Sequence, residues 1–231
     1  MYQTELNGVH YELGTSGFLY RSSKLMYDHA TKSFWSTLQG IPVVGPLVGK
    51  KIKLKRKYLV TTTWGKWKKR HPSTTALSLN TGHRRDYGEG VAYRDYFATD
   101  RLMFTVPSID KRLLNKDDVL AFRNDSQQLA IAIKYLAKKR IHHDQLGDKN
   151  LVVLADNDGT SRAYYVGDLK FKSFNSITNE AVDDQNRKWR VFEDRLEFKD
   201  GSSPEMLARV PSHNVFWFGW VSQFPETRLV K

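Results

Sequence analysis

The chain has 231 residues, of which 40% are hydrophobic and 13% aromatic, a composition typical of an ordered globular protein rather than a disordered tail. It contains no cysteine, which excludes disulfides, thiolate metal sites and cysteine nucleophiles in this sequence. No apolar run approaches the roughly 20 residues of a membrane-spanning helix. The first residues also lack the basic and apolar segments of an export signal, so the sequence as written predicts a soluble chain.

The charge is strongly basic, with 37 lysines and arginines against 25 acidic residues and a formal net charge of +12. An excess of this size attracts phosphate backbones, anionic membranes or acidic partners, so an anionic ligand or partner is plausible. The same excess also fits a solvated, lysine-rich surface that keeps a protein soluble. Charge alone therefore identifies no partner.

In the first half of the chain, short apolar runs alternate with glycine turns. This pattern predicts hairpins over the first 50 residues, because pairs such as Asn7-Gly8 supply the positive φ angles of a tight turn. The proline-rich run 41–49 is typical of an edge strand or extended loop. A further strand is predicted over 58–63 and a short helix over 64–71, which Pro72 ends.

The second half is also rich in strand patterns. They fall at 117–123, 150–155, 161–166, 169–174 and 187–192. A helix is predicted over 129–139, where apolar residues recur at helical spacing and lysines occupy the last turn. The sequence therefore predicts a mainly β fold with a few short helices, of the α+β class.

An internal repeat relates the segments 64–74 and 217–227, in which two tryptophans, a proline and a threonine coincide at an offset of 153 residues. We interpret the match as a duplicated unit whose tryptophans, three residues apart, bury one helical face against a sheet. The alternative is an exposed tryptophan platform for sugars or nucleic-acid bases. The duplication predicts two parts that meet near 108–118: residues 1–110, the back of a first unit, and 111–231, a second and degenerate unit.

Several segments resemble the uncharacterised domain-of-unknown-function family 3179. They are 14–22, 25–28, 43–49, 81–87, 216–220 and 224–230. The resemblance extends almost end to end and implies no established activity. It implies exported fuller members with a Cys-Pro-Leu-Cys-like motif ahead of the region where this chain begins, so we expect a truncated or misassigned start. In that architecture, the stretch from about Asp118 resembles a second copy of the missing front, with 156–160 in the place of the cysteine motif.

The irregular loop 80–100 is the first candidate binding site, since loops on a β scaffold often carry function. Its arginines could clamp a carboxylate or phosphate, and its histidine and carboxylates could perform acid–base chemistry. The candidates are His83, Arg84, Arg85, Asp86, Tyr87, Glu89, Tyr93 and Arg94. The alternative is an ion-paired loop held to the core by Tyr87, Tyr93 and Tyr96.

Two further groups of residues suggest other binding sites, with weaker support. His142, His143 and Asp144, together with His83, could supply nitrogen and oxygen ligands to a divalent metal, whereas adjacent residues more often face opposite sides of a strand. No other cofactor is indicated.

The segment 50–57 alternates basic and aliphatic residues, which in a strand places Ile52 and Leu54 on one face. The opposite, positive face could bind nucleic acid or guard a sheet edge, and it comprises Lys51, Lys53, Lys55 and Lys57. The turn 156–160 lacks the full ligand set of a calcium loop and predicts a hairpin turn.

The preferred function from sequence is a non-catalytic binding or scaffold domain. The alternatives are an enzyme or metal-handling protein that uses the loop 80–100 with His142 and His143, and nucleic-acid binding through 50–57. The sequence leaves open whether the protein is an enzyme, and it assigns no substrate.

Overall fold

The computed structural model describes residues 1–201 and 204–231. The fold is mainly β, as predicted, with short helices between the sheets. The first part of the chain forms three small sheets. Their strands are β1 (Tyr2–Gln3), β2 (Glu5–Leu6), β3 (Val9–His10), β4 (Leu13–Tyr20), β5 (Ser23–Asp28), β6 (Phe34–Ser36), β7 (Pro42–Val44) and β8 (Lys55–Arg56). β1 pairs with β8, β2 with β3, and the other four form a sheet of order β4-β5-β6-β7.

The second part contains three further sheets. Their strands are β9 (Asp118–Arg123), β10 (Gln128–Ala132), β11 (Ile141–Leu146), β12 (Lys149–Ala155), β13 (Ser161–Tyr165), β14 (Phe171–Asn175), β15 (Glu180–Asp183), β16 (Lys188–Val191), β17 (Arg195–Phe198), β18 (Met206–Ala208), β19 (His213–Phe216) and β20 (Arg228–Val230). The sheet orders are β19-β9-β10-β20, β11-β12-β13 and β14-β15-β16-β17-β18. β20 pairs parallel to β10, with Ala130 opposite Leu229.

The helices of the described residues are all short. They are α1 (Trp64–Arg70), α2 (Arg94–Ala98), α3 (Ile133–Lys139) and α4 (Trp217–Gln223). Thr63 caps the N-terminus of α1, since its side chain accepts a hydrogen bond from the Lys66 backbone, and the helix buries none of its residues. α4 has the same length and buries most of its residues.

The main apolar core lies in the second part of the chain. One cluster joins β9, β10, α3 and β12 around Phe122 and Leu136. A second packs β12 and β13 against the sheet β14–β18 around Trp189. A third packs α4 against β9 and β10 around Trp217 and Trp220. The first part thus contributes mainly loops and small sheets to the surface of a well-packed second part.

The predicted helix over 129–139 is wrong in its first turn. Residues Gln128–Ala132 form β10, and the helix begins only at Ile133. The strand lies between β9 and β20 and is buried from Leu129 to Ala132. A strand buried on both faces has no polar alternation, so its apolar run resembles a helical one.

The predicted strand over 58–63 is not formed. The pattern is rich in β-branched residues, but these residues have no strand assignment and pair with no sheet. Tyr58, Leu59 and Val60 instead line a cavity, described below. By contrast, the run 41–49 does provide an edge strand, since β7 is the last strand of its sheet.

The two tryptophan helices share one hydrogen-bond pattern. The indole Nε1 of Trp67 donates to Oγ1 of Thr74 at 3.0 Å, and that of Trp220 donates to Oγ1 of Thr227, also at 3.0 Å. Trp220 is fully buried, as the repeat predicted, whereas Trp67 is 42% exposed. Burial of the tryptophan face is therefore correct for α4 and wrong for α1.

Two hairpins show a second correspondence. Trp35 on β6 donates its indole hydrogen to Oδ2 of Asp28 at 3.1 Å, and Trp189 on β16 donates to Oδ2 of Asp183 at 3.0 Å. Both aspartates end the preceding strand of their hairpin. These parallels support the duplicated unit and the division into 1–110 and 111–231. Both the duplication and the division stay predictions.

Candidate functional site

A cavity of about 950 Å³ lies between the two predicted units. The segment 58–70, including one face of α1, forms one side. The turn between β12 and β13, the loop after β14, and Glu193 form the other. Its volume is at the upper end of the roughly 300–1,000 Å³ that small-molecule sites occupy.

The charged wall of the cavity is built on Glu193. Nε and Nη2 of Arg162 donate to the two carboxylate oxygens of Glu193 at 3.1 and 2.8 Å. Nη1 of Arg70 donates to the same carboxylate, and its Nη2 donates to Oδ1 of Asn179 at 2.8 Å. A third guanidinium, that of Arg209, lies 4.0 Å from Glu193 and is completely buried. One carboxylate thus holds three cations in place.

These contacts fix the charge state of the wall. Burial acts to raise the pKa of Glu193, but the hydrogen bonds from Arg162 and the nearby positive charges lower it below its ordinary value. Burial raises the pKa of Tyr164 to about 12, and its hydroxyl donates to the Phe192 carbonyl at 2.6 Å. Glu193 stays ionised and Tyr164 neutral at physiological pH, so the wall presents a constant charge.

Lys66 joins α1, on one side of the cavity, to the turn 156–160 on the other. Its ammonium lies 2.9 Å from Asp156 and 2.8 Å from Asp158. Burial opposes the ammonium charge, yet hydrogen bonds to the two aspartates raise the pKa of Lys66 above its ordinary value. The turn is a hairpin between β12 and β13, as predicted.

Two polar atoms at the cavity wall have no protein partner. Within residues 1–201 and 204–231, neither Oδ1 of Asp156 nor Nη1 of Arg162 makes a hydrogen bond. Both side chains are nearly buried, with 7% and 3% of their surfaces exposed. A buried polar atom without a partner costs about 1–3 kcal/mol, so such atoms are rare and call for an explanation. Both residues line the cavity, so their unpartnered atoms are candidate partners for a bound molecule.

The loop 80–100 lies on the surface. The eight predicted binding residues, from His83 to Arg94, are all exposed. Tyr87 bonds to Thr81, while Tyr96 is half-buried and contacts Phe216 at 6.4 Å between ring centroids. Among the described residues, no ion pair joins the arginines of the loop to its carboxylates. Ligand binding by this loop stays a prediction.

The predicted metal ligands serve the sheet β11-β12-β13. His142 contacts the Tyr135 hydroxyl through Nδ1 at 3.2 Å and Asp144 through Nε2 at 2.9 Å. His143 accepts a hydrogen bond from the Phe171 backbone at 2.8 Å, and burial lowers its pKa. His83 lies in the exposed loop instead. In the described part of the chain no group of three or more His, Asp or Glu side chains could hold a metal ion, and metal binding stays a prediction.

The basic segment 50–57 is mostly irregular, and only Lys55–Arg56 pair, with β1. Leu54 is buried, and Lys51, Lys53, Lys55 and Lys57 are exposed, so the predicted alternation of faces is present. Lys53 forms an ion pair with Asp125. Nucleic-acid binding by these lysines is untested.

The comparison with known families agrees with the resemblance seen in the sequence. A family model described as a protein of unknown function (DUF3179) matches residues 1–227. The chain belongs to this family. No curated protein and no solved structure matches the chain. The DUF3179 assignment covers both sides of the cavity but supplies no activity, so function must be argued from the site.

Sequence reasoning missed most of the cavity in this DUF3179 chain. Arg162 and Glu193 were not candidates, because each stands alone in a strand or turn pattern. Asp156 was assigned to a turn, and Lys66 and Arg70 only to the short helix 64–71. The one local signal of the cavity was the pair of aspartates, Asp156 and Asp158, directly after the predicted strand 150–155. In the described residues, no helix is long and apolar enough to cross a membrane.

Proposed function

We propose that the protein is a binding domain for a small anionic ligand that occupies the cavity between the segment 58–70 and the turn 156–160. The observation that carries this proposal is the pair of unpartnered, nearly buried atoms, Nη1 of Arg162 and Oδ1 of Asp156. A ligand with an anionic acceptor and a hydrogen-bond donor would satisfy both and remove their desolvation cost.

The charge of the lining supports an anion. Basic side chains outnumber acidic ones in the lining. The basic residues are Lys66, Lys69, Arg70, Arg140 and Arg162, and the acidic residues are Asp156 and Glu193. A concave surface with one predominant sign concentrates ligands of the opposite sign. A guanidinium also matches carboxylate and phosphate geometry.

Preorganisation supports binding rather than proton transfer. Arg162 is held by two hydrogen bonds to Glu193, so little side-chain entropy is lost when a ligand arrives. The pKa of Arg162 is raised, although burial opposes its charge, because Glu193 bonds to it. Together with the lowered pKa of Glu193, this keeps both groups ionised near neutral pH, whereas a general acid or base needs a pKa near the working pH.

The test is calorimetric titration with a panel of small carboxylates and inorganic phosphate. We expect at least one anion to bind the wild type and Arg162→Met to weaken it tenfold or more. Arg70→Met, at a partly exposed position, is a second variant that spares the buried wall, and it should weaken binding less. Arg190→Met, at an exposed position of β16 and outside the lining, is the matched control. Absence of binding by every anion, or unchanged affinity in Arg162→Met, would contradict the proposal.

A further inference from the structure

Trp67 gives the cavity an aromatic wall. Its indole is fixed by the hydrogen bond to Thr74 and packs against His71, with 4.1 Å between ring centroids. Although it lines the cavity, 42% of the residue is exposed. A large rigid ring that is oriented but partly exposed is suited to stacking against a flat partner.

This exposure is not a requirement of the tryptophan element. Trp220 makes the same hydrogen bond in α4 and is fully buried. α1, in contrast, buries none of its residues. The same element therefore provides core packing in one place and an open aromatic surface in the other.

The aromatic wall and the charged wall together restrict the ligand. Arg162, Arg70 and Lys69 favour an oxyanion such as a carboxylate. The unpartnered Oδ1 of Asp156 requires a donor, such as a hydroxyl. Trp67 requires a flat face with little polarity. Tyr58 and Leu59 extend the apolar side of the lining.

We infer that the ligand is a cyclic, hydroxylated carboxylate of the sugar-acid class, with its carboxylate at Arg162, a ring hydroxyl at Asp156 and a ring face on Trp67. This inference rests on the proposed function and adds the chemical class of the ligand to it. A sugar acid combines all three features, because its ring carries hydroxyls around a face of C–H groups. The cavity volume of about 950 Å³ has room for more than one sugar ring.

The test uses four probes, three of which lack one feature each. Glucuronate has all three; gluconate is acyclic, glucose lacks the carboxylate, and cyclohexanecarboxylate lacks hydroxyls. Calorimetry should give glucuronate the highest affinity, by about tenfold over gluconate. Trp67→Leu should weaken glucuronate about tenfold, the loss expected on truncating an aromatic contact residue, and leave gluconate unchanged. Trp67→Phe, which keeps an aromatic face, should retain most of the affinity.

Trp64→Leu is the control, because Trp64 lies on the same helix with 51% of its surface exposed and is not part of the lining. Equal affinities for glucuronate and gluconate, or equal effects of the Trp64 and Trp67 substitutions, would overturn the sugar-acid inference. In that result the loss of anion binding in Arg162→Met would still support the proposed function. Absence of binding by all four probes, while another carboxylate binds, would overturn the inference alone. If no anion binds at all, both the sugar-acid inference and the proposed function are overturned.

Discussion

Trp67 and Trp220 each donate an indole hydrogen bond to a threonine seven residues later, and both bonds measure 3.0 Å. Their surroundings differ, since Trp220 packs in the core with Trp217 and Val221, whereas α1 buries no residue. The same hydrogen-bonded element thus packs in the core in α4 and lies on the surface in α1.

The first prediction compares these two tryptophans. Trp220→Ala should lower the free energy of unfolding by about 3–5 kcal/mol, because it opens a cavity in the core. Trp67→Ala should lower it by less than about 1 kcal/mol, since a surface substitution removes little packing. Urea unfolding followed by circular dichroism measures both. Similar losses in the two variants would show that α1 contributes a core of its own.

The second prediction concerns the aspartates of the paired hairpins. Asp183 is completely buried and bonds to Trp189 and Arg187; Asp28 is also buried and bonds to Trp35 and Thr31. Asp183→Ala and Asp28→Ala should each cost about 2 kcal/mol or more, because buried donors lose their acceptor. Urea unfolding is again the measurement, with exposed Asp148→Ala as a control. A loss at one aspartate only would weaken the structural equivalence of the hairpins.

The third prediction concerns the shared carboxylate of the cavity wall. Among the described residues, Glu193→Gln removes the only carboxylate that forms an ion pair with Arg162 and Arg209. Their side chains are 3% and 0% exposed, so the substitution should cost about 2 kcal/mol or more. Arg70→Met, which breaks a more exposed pair with the same carboxylate, should cost less than about 1 kcal/mol. Thermal and urea unfolding of both variants check the order, which a larger loss in Arg70→Met would contradict.

The fourth prediction is a pH dependence set by His213. Burial, reinforced by the charges of Arg123 and Arg56, lowers its pKa from 6.5 to about 3. The folded protein therefore keeps His213 neutral, while the unfolded chain takes up a proton near pH 6.5. Stability is complete above that pH and falls on acidification by about 1.4 kcal/mol per pH unit until the folded pKa is reached.

Urea unfolding between pH 6.5 and 4.5 measures this slope for His213→Asn and the wild type. Buried carboxylates such as Asp183 do not affect stability in this pH range. Their pKa values are lowered in the folded protein, so their contribution to the free energy of unfolding is lost only near pH 4 and below. We expect the variant to be less stable at pH 7 and less dependent on pH. His143, whose pKa is also lowered by burial, retains a smaller slope of the same sign. An unchanged slope would contradict the assignment to His213.

The sequence predicted the β class, five of the twelve described strands of the second half and the turn 156–160, because alternation, Gly turns and X-Pro steps act locally. It misassigned residues 129–132, since a strand buried on both faces has no local mark that separates it from a helix. It found the tryptophan repeat but not its two environments. Exposure depends on what packs over α1, and that is decided by residues far away in the chain.

The cavity was hidden for the same reason. Lys66 meets Asp156 across 90 residues of chain, and Arg70 meets Glu193 across 123. Each residue looks like an ordinary surface charge in its own segment. Only the fold places them around one space and leaves Asp156 and Arg162 with unused hydrogen-bonding capacity.

The attachment of α1 has a further consequence for motion. Because this helix is joined to the second part through Lys66 and Arg70 and buries no side chain, it can separate from the sheets without exposing a core. Local opening of that kind lies at the low end of the free-energy scale for a native protein. Backbone amides of residues 64–70 should then exchange their hydrogens with solvent well before those of the equally long α4, and a molecule bound against Trp67 should slow that exchange selectively.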